Sequence, residues 1–245
     1  MKRFIAAMIL LFIPASAFAI TFPQFAIGGG YECLMLISNK TSFPWTGDIY
    51  IFSGNDQLWP SSWYINGVNY TGERGVSLTI PGNASIKLRF TGDNQTWTGY
   101  LEIYGTGSSS SYGVSIAYFY QFILGDDIIT STGSPPAEPS YVFYVPVEKT
   151  SLIDTGLAWS PYSSTSNFRI RLTLYNSEGD PIGIYNDTYK GHESKLISEW
   201  FDIPNGVRGH LRIEAWEPVY LEALRIDGTD NGFLLTSTPP DWQTP

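Results

Sequence analysis

The sequence predicts an all-β protein made of two tandem immunoglobulin-like antiparallel β-sandwiches. Three observations lead there: a composition rich in strand formers and turn residues, apolar side chains at every second position, and an order of strands that occurs twice. Of the 245 residues 43 % are hydrophobic and 16 % aromatic, mostly Tyr and Phe, beside 24 Gly and 16 Pro. So much apolar surface excludes a disordered chain. Aromatics interleaved with Gly and Pro favour short strands joined by turns.

The alternation is clearest in the second half. Phe168, Ile170, Leu172 and Leu174 share one face, with Arg169, Arg171 and Thr173 between them. Ile86, Leu88 and Phe90 alternate in the same way, as do Leu211, Ile213 and Ala215, and Val114, Ile116 and Tyr118. A period of two puts such residues on one side of a pleated strand. The runs end in turn chemistry such as Ile80-Pro81-Gly82-Asn83, Asn176 to Pro181 and Pro204-Asn205-Gly206. The single helix candidate is Glu193 to Phe201, where Leu196/Trp200 and Ile197/Phe201 are four apart; a strand running into one turn fits it equally.

Residues 1–19 read as a secretory signal peptide. Met1-Lys2-Arg3 is positive, Phe4 to Pro14 is apolar but too short to span a bilayer, and Ala17-Phe18-Ala19 offers the small residues of a cleavage site. The plainer reading is a buried N-terminal helix. Removal of Lys2 and Arg3 leaves 12 basic and 23 acidic residues, a net −11. That balance argues against nucleic acid or an anionic membrane as the main partner, and no later stretch is apolar enough to span a membrane. One cysteine, Cys33, cannot form an internal disulfide, so stability must come from packing. The expected location is periplasmic, extracellular or at the cell surface.

A shift of 122 residues lays Leu36 to Asn39 on Ala158 to Pro161, and Gly47 to Phe52 on Arg169 to Leu174. Gly99 to Ile103 matches Gly209 to Ile213 at a shift of 110, and Ile116 to Tyr118 meets Glu222 to Leu224 at 106. The Pro/Ser/Gly-rich stretch Thr130 to Pro139 lies between the copies, which places a first domain at 20–136 and a second, with a short tail, at 137–245.

The segment Phe22-Pro23-Gln24-Phe25-Ala26-Ile27-Gly28-Gly29-Gly30-Tyr31 resembles the opening of a bacterial secreted β-domain family of unestablished function, which begins F-P-Q-F-A-x-G-G-G and an aromatic, usually Trp. Leu36 to Asn39 fits its next strand and Asn turn. Leu221 to Arg225 and Asn231 to Pro240 resemble its closing segment. The likeness spans about residues 22 to 240 and implies a β-domain fold and a surface-associated location, with no catalytic residue; Tyr31 departs mildly from the usual Trp.

The candidate chemistry is thin. Gly28-Gly29-Gly30 lacks the strand-turn-helix context of a dinucleotide loop and reads as a bend. Asp227 to Gly232 spaces oxygen ligands like a calcium loop, but position twelve is Thr238 where a bidentate Glu belongs, and a hairpin explains it better. Gly125-Asp126-Asp127 reads as a turn. His192 reads as part of a solvated loop and His210 as an outward strand residue, while Cys33 reads as a small buried hydrophobe. Glu199, Asp202, Glu214 and Glu217 are the acids a glycosidase pair would draw on. Arg225 reads as a half-buried arginine bonded to loop carbonyls. Five N-x-S/T sequons, at Asn39, Asn69, Asn83, Asn94 and Asn186, read as turn composition.

Trp45, Trp59, Trp63, Tyr64 and Trp97 read as loop residues of the first half, densest from Trp59 to Tyr64. Exposed, they would stack on sugar rings; otherwise they cap the open ends of a sandwich. The sequence therefore points to an exported, non-enzymatic structural, adhesion or binding module without cofactor or metal. The first alternative is a carbohydrate-binding module centred on Trp59, Trp63 and Tyr64, with polysaccharide or other surface proteins as partners. The second is a hydrolase with an unrecognised carboxylate pair. A further option is self-association, in which Ile20 to Ala26 pairs with a neighbour's open sheet edge.

Overall fold

The computed structural model describes residues 19–53, 62–106, 113–163, 167–229, 232–238 and 240–242. The predicted signal peptide, apart from Ala19, lies outside them, as does Trp59. The fold is all-β and antiparallel. Among the described residues the one α-helical piece is α1, Ile197–Trp200, and none is long and apolar enough to cross a membrane.

The first half contributes β1 (Ile20–Ile27), β2 (Tyr31–Asn39), β3 (Trp45–Ser53), β4 (Trp63–Ile65), β5 (Val68–Asn69), β6 (Gly75–Ile80), β7 (Ser85–Gly92), β8 (Trp97–Gly105), β9 (Val114–Leu124) and β10 (Asp127–Ser134). They form a four-stranded sheet, β1-β8-β3-β6, and a six-stranded one, β10-β9-β2-β7-β4-β5. Phe22, Ile49, Ile51 and Leu101 of the first sheet share a core with Met35, Ile37, Phe90 and Tyr118 of the second, so the two layers face each other as a sandwich. The chain changes layer at the glycine bend. Gly28 and Tyr31 exchange main-chain hydrogen bonds across Gly29 and Gly30, both at positive φ as such a tight turn requires.

The second half contributes β11 (Ser140–Lys149), β12 (Ile153–Pro161), β13 (Asn167–Asn176), β14 (Pro181–Lys190), β15 (Glu193–Leu196), α1, β16 (Val207–Thr229), β17 (Gly232–Thr238) and β18 (Asp241–Trp242). Its core runs from Phe143 to Ala223 and shares no residue with the first. The region Glu193 to Phe201 is thus the strand running into one turn. Strand β16 serves both layers. Val207 to Ala215 pairs with β11 and β13, and Val219 to Asp227 with β12.

The pairing order is the same in both halves. β11-β16-β13-β14 stands to the second half as β1-β8-β3-β6 stands to the first, and β17-β16-β12-β15 stands as β10-β9-β2-β7. Inward-facing residues fix the correspondence. Ile37 matches Trp159 and Leu101 matches Leu211, as the shifts of 122 and 110 have them. In two places, however, the sequence alignment is one residue out: core residue Ile51 corresponds to Leu174, not Thr173, and Tyr118 to Ala223, not Leu224. A one-residue slip in a strand turns every side chain to the opposite face, so only the observed burial fixes the register.

With the register set, two details recur. Gly99 on β8 lies against the Phe52 carbonyl, and Gly209 on β16 against the Tyr175 carbonyl; a Cβ on either would collide with that oxygen. Beside each glycine sits a stacked ring pair, Phe52 with Tyr100 (4.6 Å between centroids, 10°) and Tyr175 with His210 (4.8 Å, 9°).

The halves are fastened along a seam. Main-chain N–H groups on the edge of β17, at Leu235 and Ser237, donate to the hydroxyls of Thr130 and Thr132 on β10, each at 3.0 Å. Phe122 packs on Phe233 at 5.0 Å, and Ala137 N–H bonds the Thr21 carbonyl at 3.0 Å. The segment Ile20 to Ala26 belongs to this construction. It is paired with β8 as the edge strand of its sheet, and all but Ile20 is buried.

Replacing Gly99 or Gly209 by Ala forces the paired carbonyl away. Each is expected to cost on the order of 3 kcal/mol in urea denaturation, whereas Gly179→Ala, with open space around it, is expected to cost much less, reflecting its positive φ alone.

Candidate functional site

The deepest polar constellation of the described residues lies where the halves meet. Glu222 projects from the outward side of β16, between core residues Leu221 and Ala223, and is 4 % exposed. Its Oε2 lies 2.8 Å from the hydroxyl of Tyr120 on β9, and that hydroxyl also lies 2.5 Å from the main-chain carbonyl of Gln24 on β1. A phenol has one proton and cannot serve two acceptors. A protonated carboxyl resolves the conflict by donating to the phenol, which then donates to the carbonyl. Burial pushes the Glu222 carboxyl the same way, up to about 7, against hydrogen bonds to Tyr120 and Ser134 that favour the carboxylate.

Gln24 anchors a second crossing. Its side-chain Oε1 lies 3.0 Å from Nε2 of His192, which is 1 % exposed. Burial drives this imidazole down to about 3, against a main-chain bond to Pro23, so the ring is neutral. His192 is therefore not the solvated loop residue its Gly-His-Glu context suggests; the chain entering β15 folds it under the first half. Beside the seam opens a cleft of about 220 Å³ bordered by Gln24, Tyr31 and Tyr120 from one side and Ser194, Lys195 and Leu224 from the other.

Neighbouring groups are closed off. Cys33 is fully buried, donates to the Ala26 carbonyl at 3.1 Å and accepts from the Tyr118 hydroxyl at 3.0 Å. Burial pushes its thiol up to about 12, which makes it an inert core residue, as the alternation predicts.

Of the sequence-predicted sugar site, Trp59 lies outside the described residues, and the structure places Trp63 and Tyr64 on a strand. Trp63 opens strand β4 and is 1 % exposed; its indole N–H donates to the Glu73 carbonyl at 3.2 Å and its ring packs on Tyr70 at 5.3 Å. Its faces are held by the core and are not open to a sugar. Tyr64 alternates outward, opposite Asn69 in the β4–β5 hairpin. Trp45 and Trp97 likewise begin strands, with Trp45 buried.

The four acids have separate settings. Glu199 accepts the Leu196 N–H at 2.6 Å at the start of α1, Glu214 pairs with Arg212 at 2.9 Å, Asp202 is exposed, and Glu217 borders a small hollow beside Pro161 and Phe168. Arg225 bonds carboxylates and not loop carbonyls. Its guanidinium meets Glu148 and, at 3.0 Å, Asp227, while Arg208 also bonds Glu148. These cations hold the Glu148 carboxyl below the usual range. Asp227 is thereby engaged by an arginine, and Thr229 pairs with Gly232 as the hairpin closes around two residues outside the described set. Among the described residues no three His, Cys, Asp or Glu side chains gather as a metal site. Gly125 and Asp126 form the β9–β10 turn. Asn39 is 3 % exposed, with its amide bonded to the carbonyls of Phe43 and Ile80, so this sequon is a structural turn.

No protein-family model and no curated protein matches the chain. Solved structures similar to it include the crystal structure of Thermotoga maritima 1070 (TM-score 0.35, 17 % identity, covering 42 % of this chain and 95 % of that one). Others are a putative β-galactosidase from Bacteroides fragilis (TM-score 0.16, 9 % identity, covering 90 % of this chain) and the Bacteroides uniformis β-glucuronidase (0.15, 9 %, 88 %). The chain spans 32 % and 25 % of those two proteins. At such scores none bears on function.

Glu222 has a folded-state pKa above its unfolded value, so the stability it confers is complete below about pH 4.5 and is lost as pH rises through about 7. Glu222→Gln keeps a neutral partner for Tyr120. Its stability relative to wild type, read from denaturant midpoints, is expected to rise by roughly 3 kcal/mol between pH 4.5 and pH 8. A flat difference would contradict the protonated seam. Trp63→Ala is expected to cost about 3–5 kcal/mol, as for a large core side chain.

Proposed function

We propose that the protein is an exported, non-enzymatic structural, adhesion or binding module of the bacterial cell surface or extracellular space, made of two tandem immunoglobulin-like sandwiches at 20–136 and 137–245 behind a signal peptide ending near Ala19. The seam carries this reading. Its titratable side chains, Glu222 and His192, are both desolvated and each is bonded to the opposite half, an arrangement that holds two domains in fixed relation. A general acid or base must instead reach a substrate proton. The repeated pairing order, the matched glycines and the matched ring pairs support the tandem description. Polysaccharide or other surface proteins are the partners such a module would serve.

Expression of the full chain in a bacterial host, followed by cell fractionation and N-terminal sequencing, tests the proposal. A product beginning at Ile20 outside the cytoplasm, without turnover of glycoside or ester substrates, is the expected result. Retention of Met1 in the cytoplasm, or turnover that survives purification to homogeneity, would overturn it.

A further inference from the structure

We propose that the outer face of the sheet β14-β13-β16-β11 docks an acidic polysaccharide, a sugar chain bearing carboxylates or sulfate esters; this rests on the reading of the protein as a binding module. Residues alternating with the core side chains of β13 and β16 project from this face, and the register aligns them in rows. One row is Asn186, Arg171, Glu214 and Val142. The next is Ile184, Thr173, Arg212 and Tyr144, and beyond it Tyr175, His210 and Pro146.

Charge is distributed against the average of the chain. Net charge is −9, yet Arg169, Arg171, Lys190, Arg208 and Arg212 all project from this one face. Among the described side chains the two acids of this face are already bound, Glu214 by Arg212 at 2.9 Å and Glu148 by Arg208 at 2.8 Å. Arg169 and Arg171 are exposed and make no ion pair with any described residue. Two positions apart on one strand, they stand about 7 Å from each other. Each planar guanidinium can take a carboxylate or sulfate through two parallel N–H donors.

Rings lie beside these cations. His210 is stacked on Tyr175 and lies 6.1 Å from Tyr144. Trp216 is 57 % exposed and follows Ala215, the partner of Ile170, so it stands at the Arg169 end of the face. Ring faces take up the apolar C–H surface of sugars while guanidinium groups bind their anionic substituents. An open sheet face suits an extended chain better than an enclosed small molecule. The corresponding face of the first half lacks these cations: Asp48 stands where Arg171 does, and the buried Glu102 stands where Arg212 does.

Affinity electrophoresis of the full chain through gels containing polygalacturonate, a sulfated dextran or neutral dextran tests this. Retardation by at least one acidic polymer, none by neutral dextran, and loss of retardation at high salt are expected. Arg169→Gln with Arg171→Gln is expected to weaken binding on the order of tenfold while leaving the thermal midpoint unchanged, since both are exposed. Trp216→Ala should weaken it severalfold, and Lys87→Gln, on the first half, should not. Three results would each overturn the proposal: no retardation by either acidic polymer, retardation indifferent to the double substitution, or equal binding to vesicles containing phosphatidylserine. Because export and lack of turnover are measured separately, failure here removes this face without touching the module reading.

Discussion

One hydroxyl proton governs how the two halves meet. Tyr120 stands between a main-chain carbonyl of β1 and a carboxyl of β16 and can satisfy only one of them. A proton on Glu222 turns two competing acceptors into a directed chain, in which the carboxyl donates to the phenol and the phenol to the carbonyl. The groups around it are buried: Tyr118, Cys33 and Ala26 on one side, and Gln24 and His192 on the other. A buried polar chain of this kind is strong when complete and costly when broken, which gives the junction its definition. The threonine hydroxyls of β10 act along the same line by occupying an edge of β17 that would otherwise present free N–H groups.

The halves share a plan and differ in what they put on it. Gly99 and Gly209 admit a carbonyl that no side chain would tolerate, and each close approach brings a ring pair into parallel contact. On that common frame the first half presents Asp48 and Glu102, and the second Arg171 and Arg212. Glu102 is buried, bonded by Tyr104 at 2.5 Å and raised by desolvation, whereas the arginines reach solvent. The scaffold and the surface chemistry have thus been set independently, as a pleated sheet allows when its inner face fixes the fold and its outer face does not.

Much of this architecture could be read from the chain. Alternation placed Ile170, Leu172 and Leu174 inside because a half-buried strand leaves a two-residue signature, and the glycine bend at 28–30 followed from the lack of any helix after it. The register of the repeat was read one residue out in two of its strands, since a pattern of period two looks nearly the same when shifted and only burial distinguishes the faces. Trp63 was read as a loop residue because a three-residue strand is too short to show a period. The seam left no trace. Gln24 and His192 are 168 residues apart and Tyr120 and Glu222 are 102 apart, and no local pattern marks contacts between residues so distant in the chain.

Strand β16 has a mechanical meaning. For 23 residues one stretch of backbone belongs first to one layer of the second half and then to the other, without a loop between them. A layer with its own private strands can be peeled away row by row, but here tension on either layer is carried by covalent bonds into its companion. The second half must therefore resist a pull as a unit and give way as a unit, the behaviour of a fastener that either holds or lets go.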